Sequence, residues 1–121
     1  MQDKESIFNK TPSQLCDILL RLCSKLSTAN EVNAKARANY EAYKDQESNY
    51  LSVLMEMFEG SNAECQRRAF ATEKWKVFKA EMGKLRMDFY LANSKLDTIR
   101  TKIDALRTVI STKKEEFKNL G

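Results

Sequence analysis

Gly60-Ser61-Asn62-Ala63-Glu64 is the stretch that decides the fold. Glycine adopts the positive φ that closes a helix C-terminus without a Cβ penalty. Ser61 with Glu64 forms a capping box, the reciprocal pairing that opens a helix. One helix therefore ends and the next begins within about two residues, and connections this short favour antiparallel neighbours. Upstream, Thr11-Pro12-Ser13-Gln14 carries a second start signal. Thr11 and Gln14 make a capping box, and Pro12 suits the first helical position because its missing N–H has no partner there. The reading is a flexible arm over residues 1–10 and one helical-hairpin domain over 11–121. Its first helix covers about 12–59, the turn 60–62 and the second helix about 62–118. A further capping box, Thr28 to Glu31, leaves a kink or break at 27–31 open. Gly83 falls inside the second helix at a cost of about 1 kcal/mol relative to alanine.

Between these signals the apolar residues recur at alternating steps of four and three. The first stripe is Leu15, Leu19, Leu22, Leu26, Ala29, Asn33, Ala36, Tyr40, Tyr43, Glu47, Tyr50, Leu54 and Met57. The second is Ala71, Trp75, Phe78, Met82, Leu85, Phe89, Ala92, Leu96, Ile99, Ile103, Leu106, Ile110, Lys113 and Phe117. Such a heptad, sustained over so many turns, is the mark of a coiled-coil seam. Folding the chain at 60–61 sets Ala36 near Leu85, Asn33 near Phe89 and Ala29 near Ala92, small against large in the first two layers. The expected fold class is all-α, a long antiparallel hairpin. A single seam is a thin core against about 1–2 kcal/mol of backbone entropy per ordered residue. Ile18, Leu51, Val53, Phe58, Leu91 and Val109 flank the seam, so a homo-oligomer, a dimeric four-helix arrangement, is expected to cover them.

Composition agrees. The 121 residues hold one proline and three glycines, and 31% are charged, which fits long helices and one domain. No apolar run reaches the roughly 20 residues of a membrane span. Met1-Gln2-Asp3-Lys4-Glu5 lacks the apolar stretch of a secretory signal, so a cytoplasmic protein without membrane contact is expected. Cys16, Cys23 and Cys65 are odd in number and lie within helical patterns, as reduced, half-buried thiols do.

The residue inventory argues against catalysis. Histidine, the commonest general base and metal ligand, is absent. No cysteine pair has zinc spacing and no glycine-rich phosphate loop occurs. No enzyme activity, cofactor or metal is expected.

Charge is uneven. Residues 1–60 hold 7 basic and 9 acidic side chains, net −2, whereas 61–121 hold 14 and 8, net +6. On the second helix Lys79, Arg86, Asn93, Arg100, Arg107 and Lys114 form one row at seven-residue spacing, with Arg37 and Lys44 expected opposite its first members. Asp97 and Asp104 lie within four residues of Arg100, and Asp104 three before Arg107; Lys79, Arg86 and Lys114 have no acid three or four residues away. One reading is a solvated flank whose long stems cover the seam. The other is a docking stripe for nucleic acid or an acidic protein face, with Arg37, Lys44, Lys79, Arg86, Arg100, Arg107 and Lys114 as the binding candidates. Tyr40, Tyr43, Tyr50, Trp75 and Phe78 lie on the seam and read as core rather than as a base-stacking platform.

Ser61-Asn62-Ala63-Glu64, then Arg67-Arg68-Ala69, and further on Leu96-Asp97-Thr98-Ile99, Ile103-Asp104-Ala105-Leu106 and Ile110-Ser111 carry a resemblance. Over residues 61–114 the chain resembles the small helical coiled-coil proteins of phage and prophage recombination cassettes. The resemblance implies a non-enzymatic accessory with a protein partner in DNA recombination or replication, and transfers no functional residue. Two other readings stand beside it: an inhibitor of a host defence or repair nuclease, as anti-CRISPR proteins are, and a structural coiled-coil oligomerisation element.

Overall fold

In the computed structural model of the protein, which describes residues 9–120, the chain is all-α, with no strand among the described residues. Helix α1 spans Pro12–Met55 (44 residues), α2 Asn62–Phe70 (9 residues) and α3 Glu73–Leu120 (48 residues). Of the arm expected over 1–10, residues 1–8 lie outside the described residues.

The caps are where the sequence places them. The Thr11 N–H donates to Gln14 Oε1 at 2.9 Å and the Gln14 N–H donates to Thr11 Oγ1 at 3.2 Å, a complete capping box. Helix α1 then passes through 27–31 without a break. The Thr28 hydroxyl stands 3.5 Å from the Ser24 carbonyl behind it, so it faces back along the helix instead of capping a new one.

The first helix ends earlier than expected, at Met55 instead of near 59. The Met57 N–H donates to the Leu54 carbonyl and the Phe58 N–H to the Met55 carbonyl, bonds three residues back that tighten and close the last turn. Gly60 has φ +129°. Ser61 then caps α2, its hydroxyl accepting from the Glu64 N–H at 3.2 Å. Buried Cys65 ties the turn from the other side, its thiol donating to the Phe58 carbonyl at 3.4 Å.

The expected single helix over 62–118 is two helices. Thr72 makes the break: its N–H and its hydroxyl both donate to the Ala69 carbonyl, the latter at 2.7 Å, and its Oγ1 accepts from the Trp75 N–H at 3.2 Å. Threonine at a helix N-cap satisfies a donor that has no partner inside the helix. The break also turns a different face of the chain inward. Cys65 and Ala69, four residues apart, are buried, whereas Ala71, the expected first seam residue, is exposed.

The chain forms two compact units, one of residues 33–92 and one of the described residues up to Val32 together with those from Asn93. The first is aromatic. Leu54, Ala69, Trp75, Phe78 and Met82 form its buried core, with Tyr40, Tyr43, Tyr50, Leu51, Met55 and Phe58 packed against them. Phe78 stacks on Tyr50 at 4.6 Å, Tyr43 at 4.8 Å and Trp75 at 5.8 Å between ring centroids. The second unit is aliphatic. Leu15, Leu106 and Ile110 form one cluster; Ala29, Leu96, Ile99 and Ile103 form another, and Leu19 and Leu22 touch both. Within the aromatic unit Tyr40 meets Phe89 and Tyr50 meets Phe78; within the aliphatic unit Ala29 clusters with Leu96 and Leu15 with Leu106.

The heptad seam is observed almost residue for residue. From Leu15 to Leu54 and from Trp75 to Lys113 every seam position is buried or half-buried, and the exposed exceptions, Met57, Ala71 and Phe117, fall at its ends or in the break. Lys113, the polar intruder, donates from Nζ to the Lys10 carbonyl at 2.6 Å. The register differs from the expected one. Phe89, expected near Asn33, stacks on Tyr40 at 6.2 Å, and Ala29, expected near Ala92, clusters with Leu96, Ile99 and Ile103. A fold at 60–61 assumes a two-residue turn, whereas here the reversal uses the closing turn of α1, α2 and the Thr72 break. Phe89 thus meets α1 seven residues from its expected neighbour, about two helical turns, whereas Tyr43 and Phe78 meet at the pairing expected from a fold at 60–61.

Candidate partner-binding surface

Every residue of the proposed basic set is exposed, because each stands one position outside the seam on a helix whose adjacent row is buried. Arg37, Lys44, Lys79 and Arg86 belong to the aromatic unit; Arg100, Arg107 and Lys114 belong to the aliphatic one. Within its own unit each set follows helical spacing along α3, seven residues or roughly 10.5 Å apart.

Their partners differ from the sequence expectation. Lys79, read as lacking an acid, pairs with Glu47 Oε1 at 3.1 Å and stands 5.7 Å over the Trp75 ring. The acid comes from a seam position of α1, which a search along the same helix and its flanking row does not reach. Arg37 is held by Glu41, one turn on, at 3.0 Å. Arg100 has Asp97 at 3.9 Å, as its spacing suggests. Arg107 makes no ion pair with Asp104 or any other described residue, and neither do Lys44, Arg86 and Lys114. The ion pairs observed are all exposed and contribute roughly 0–1 kcal/mol each. They damp the local charge of Arg37, Lys79 and Arg100 and leave Lys44, Arg86, Arg107 and Lys114 as the cations with no such compensation.

The rings named in the sequence reading are core. Trp75 and Phe78 are buried and Tyr40, Tyr43 and Tyr50 half-buried, each occupied by another ring. Phe70 lies tilted against Trp75 at 5.2 Å yet stays 43% exposed. The flanking apolar residues divide. Ile18, Leu51, Phe58 and Val109 join the clusters, whereas Val53 and Leu91 stay exposed. The sequence reading named Leu91 among the flanking residues but missed its neighbours Val77, Met87 and Tyr90 on α3 away from the seam; all four are 57–61% exposed. Their signal was present as a second apolar spacing, three and four residues apart, masked by the stronger seam.

No helix among the described residues is long and apolar enough to cross a membrane. Cys16, Cys23 and Cys65 are all free thiols. Comparison with known protein families, characterised proteins and solved structures finds no match to this chain.

Proposed function

We propose that this chain is a non-enzymatic, cytoplasmic accessory protein of the phage recombination type, which binds a protein partner in DNA recombination or replication through its helical surfaces, with nucleic acid as a second contact. In this reading α1 and α3 form one long antiparallel hairpin that self-associates into a dimeric four-helix arrangement. The observation that carries it is the set Lys44, Arg86, Arg107 and Lys114, exposed cations on helices with no ion pair to any described residue. Cations held on rigid helices attract an acidic protein face or a phosphate backbone at a distance and release counterions on contact. The resemblance of residues 61–114 to recombination-cassette proteins supplies the direction towards DNA metabolism.

The test replaces Lys44 and Arg86 together with glutamate. Both lie outside the seam, so the circular dichroism spectrum is expected to stay that of the parent. Binding to labelled single- or double-stranded DNA, or to the partner recovered from the native host, is expected to weaken and to lose slope against salt, for DNA by about 0.9 (double strand) or about 0.7 (single strand) in the log–log plot for each phosphate contact removed. Equal affinity across the salt series in parent and variant would reduce the cations to a solvated flank. The second reading, a structural oligomerisation element, is favoured by the exposed apolar face of α3; it expects a chain that binds itself and no nucleic acid.

A further inference from the structure

Helix α3 carries a second apolar face, opposite its seam. Val77, Ala80, Lys84, Met87 and Leu91 follow one another at steps of three and four, the helical spacing of a single stripe, and Gly83 and Tyr90 lie alongside. Val77 is 59% exposed, Met87 57%, Tyr90 58% and Leu91 61%. All of them belong to the aromatic unit, whose core is already closed by Trp75, Phe78 and Met82 on the other side of the same helix. Gly83 is the odd member. It sits inside a helix, where glycine is unfavourable, and a Cβ built on it meets nothing within 4 Å. Nothing in the chain itself requires the missing side chain there.

The charges at the margins say what covers the face. Glu81 and Asp88 line one edge and Lys76 the other, whereas Lys79 and Arg86 lie farther round, beside the seam. A polyanion would meet the acidic edge and gain nothing from Met87 and Leu91. A surface that is acidic on one edge and basic on the other complements itself when two copies lie with their helices parallel, because a two-fold axis along the helices sets each acidic edge against the basic edge of the other copy. With Val77, Ala80, Met87 and Leu91 as the new seam, Lys76 of one copy falls beside Glu81 of the other, five residues on, the spacing of flanking pairs in parallel coiled coils. Neither residue has an ion pair among the described residues. Lys84 is the one charge within the stripe. Glu81 three residues before it and Asp88 four after can draw its ammonium to the edge while its stem stays on the apolar strip. Gly83 then gives the second helix room for close approach.

We infer that the face Val77–Ala80–Lys84–Met87–Leu91 of α3, with Gly83 at its edge, binds the same face of a second copy with the helices parallel. This rests on the self-association proposed above and names where it occurs. The strip is about 23 Å long, short for a standard interface, so the dimer is expected to dissociate in the micromolar range.

Sedimentation equilibrium of the full chain at micromolar concentration tests it. The parent is expected to show a dimer. Met87→Glu with Leu91→Glu is expected to give a 14.0 kDa species with the parent's circular dichroism, since both side chains are exposed. Lys76→Glu alone and Glu81→Lys alone are each expected to raise the dissociation constant about tenfold, like charges now facing each other in both symmetric pairs, and the double exchange is expected to restore it. A monomeric parent would overturn this inference together with the self-association reading. A dimer untouched by the Met87 and Leu91 changes would overturn the face alone, and failure of the double exchange to rescue would overturn the parallel arrangement.

Discussion

Two glycines that look alike in the sequence have opposite roles, and substitution separates them. Gly60 has φ +129°, and a Cβ placed on it would stand 2.6 Å from Glu64 Oε2. Gly60→Ala is therefore expected to lower stability by about 1–2 kcal/mol, read as a lower melting temperature, because a side chain at positive φ is strained wherever it is put. Gly83 is helical with open space around it, and Gly83→Ala is expected to raise stability by about 0.5–1 kcal/mol when the chain is diluted enough to be monomeric. If both substitutions shift the melt in the same direction, one of these local accounts fails. Phe78, touched by three other rings, is the residue on which the aromatic core depends most. Phe78→Ala is expected to cost about 3–5 kcal/mol in denaturant unfolding, with exposed Phe117→Ala as a control that costs little. The turn at Gly60 was legible because glycine followed by a capping box has few other meanings. Lys79 was not, since its acid, Glu47, lies 32 residues away at a position the heptad reserves for packing.

At the scale of elements, the caps and the seam were readable and the break was not. Thr11 and Ser61 each stand three residues before a Gln or Glu, the signature of a capping box, whereas Thr72 stands three before Trp75. A tryptophan there satisfies the heptad and hides the cap, because its apolar role explains the position without one. Thr72→Ala removes the Oγ1 that accepts from the Trp75 N–H and is expected to cost about 1 kcal/mol, with Thr72→Ser retaining most of the stability. If alanine and serine melt alike, the hydroxyl does not hold this junction. The early end of α1 was also hidden. Met57 and Phe58 continue the apolar spacing past Met55, and periodicity alone cannot tell a helix from a closing turn that keeps Phe58 packed on the core. Register follows from where the reversal lies, so missing the break misplaced Phe89 and Ala29 against α1 and α3.

For the molecule as a whole, the sequence presents one uninterrupted seam, yet the structure forms two compact units with cores of different chemistry. The change falls where the seam carries Asn33, Ala36 and Ala92, all small or polar positions. In hydrogen exchange, the amides of α3 in the aromatic unit, around Phe78 and Met82, are expected to be protected longer than those of its last turns near Lys118, where no buried side chain follows Ile110 among the described side chains. Equal protection along all of α3 would argue against unequal units. The proposed basic surface was legible as a row of spacing and as exposure; which of its members remain unpaired depended on contacts between α1 and α3 that a row cannot show. The aliphatic unit has a further consequence, because it joins residues up to Val32 with residues from Asn93. On the ribosome Leu15, Leu19 and Leu22 are made before residues 33–92, and the partners that cover them after those residues. At about 5–20 residues per second the intervening stretch takes a few to about ten seconds to synthesise. For that interval the nascent chain shows a leucine stripe whose partners in the same unit have not yet been made.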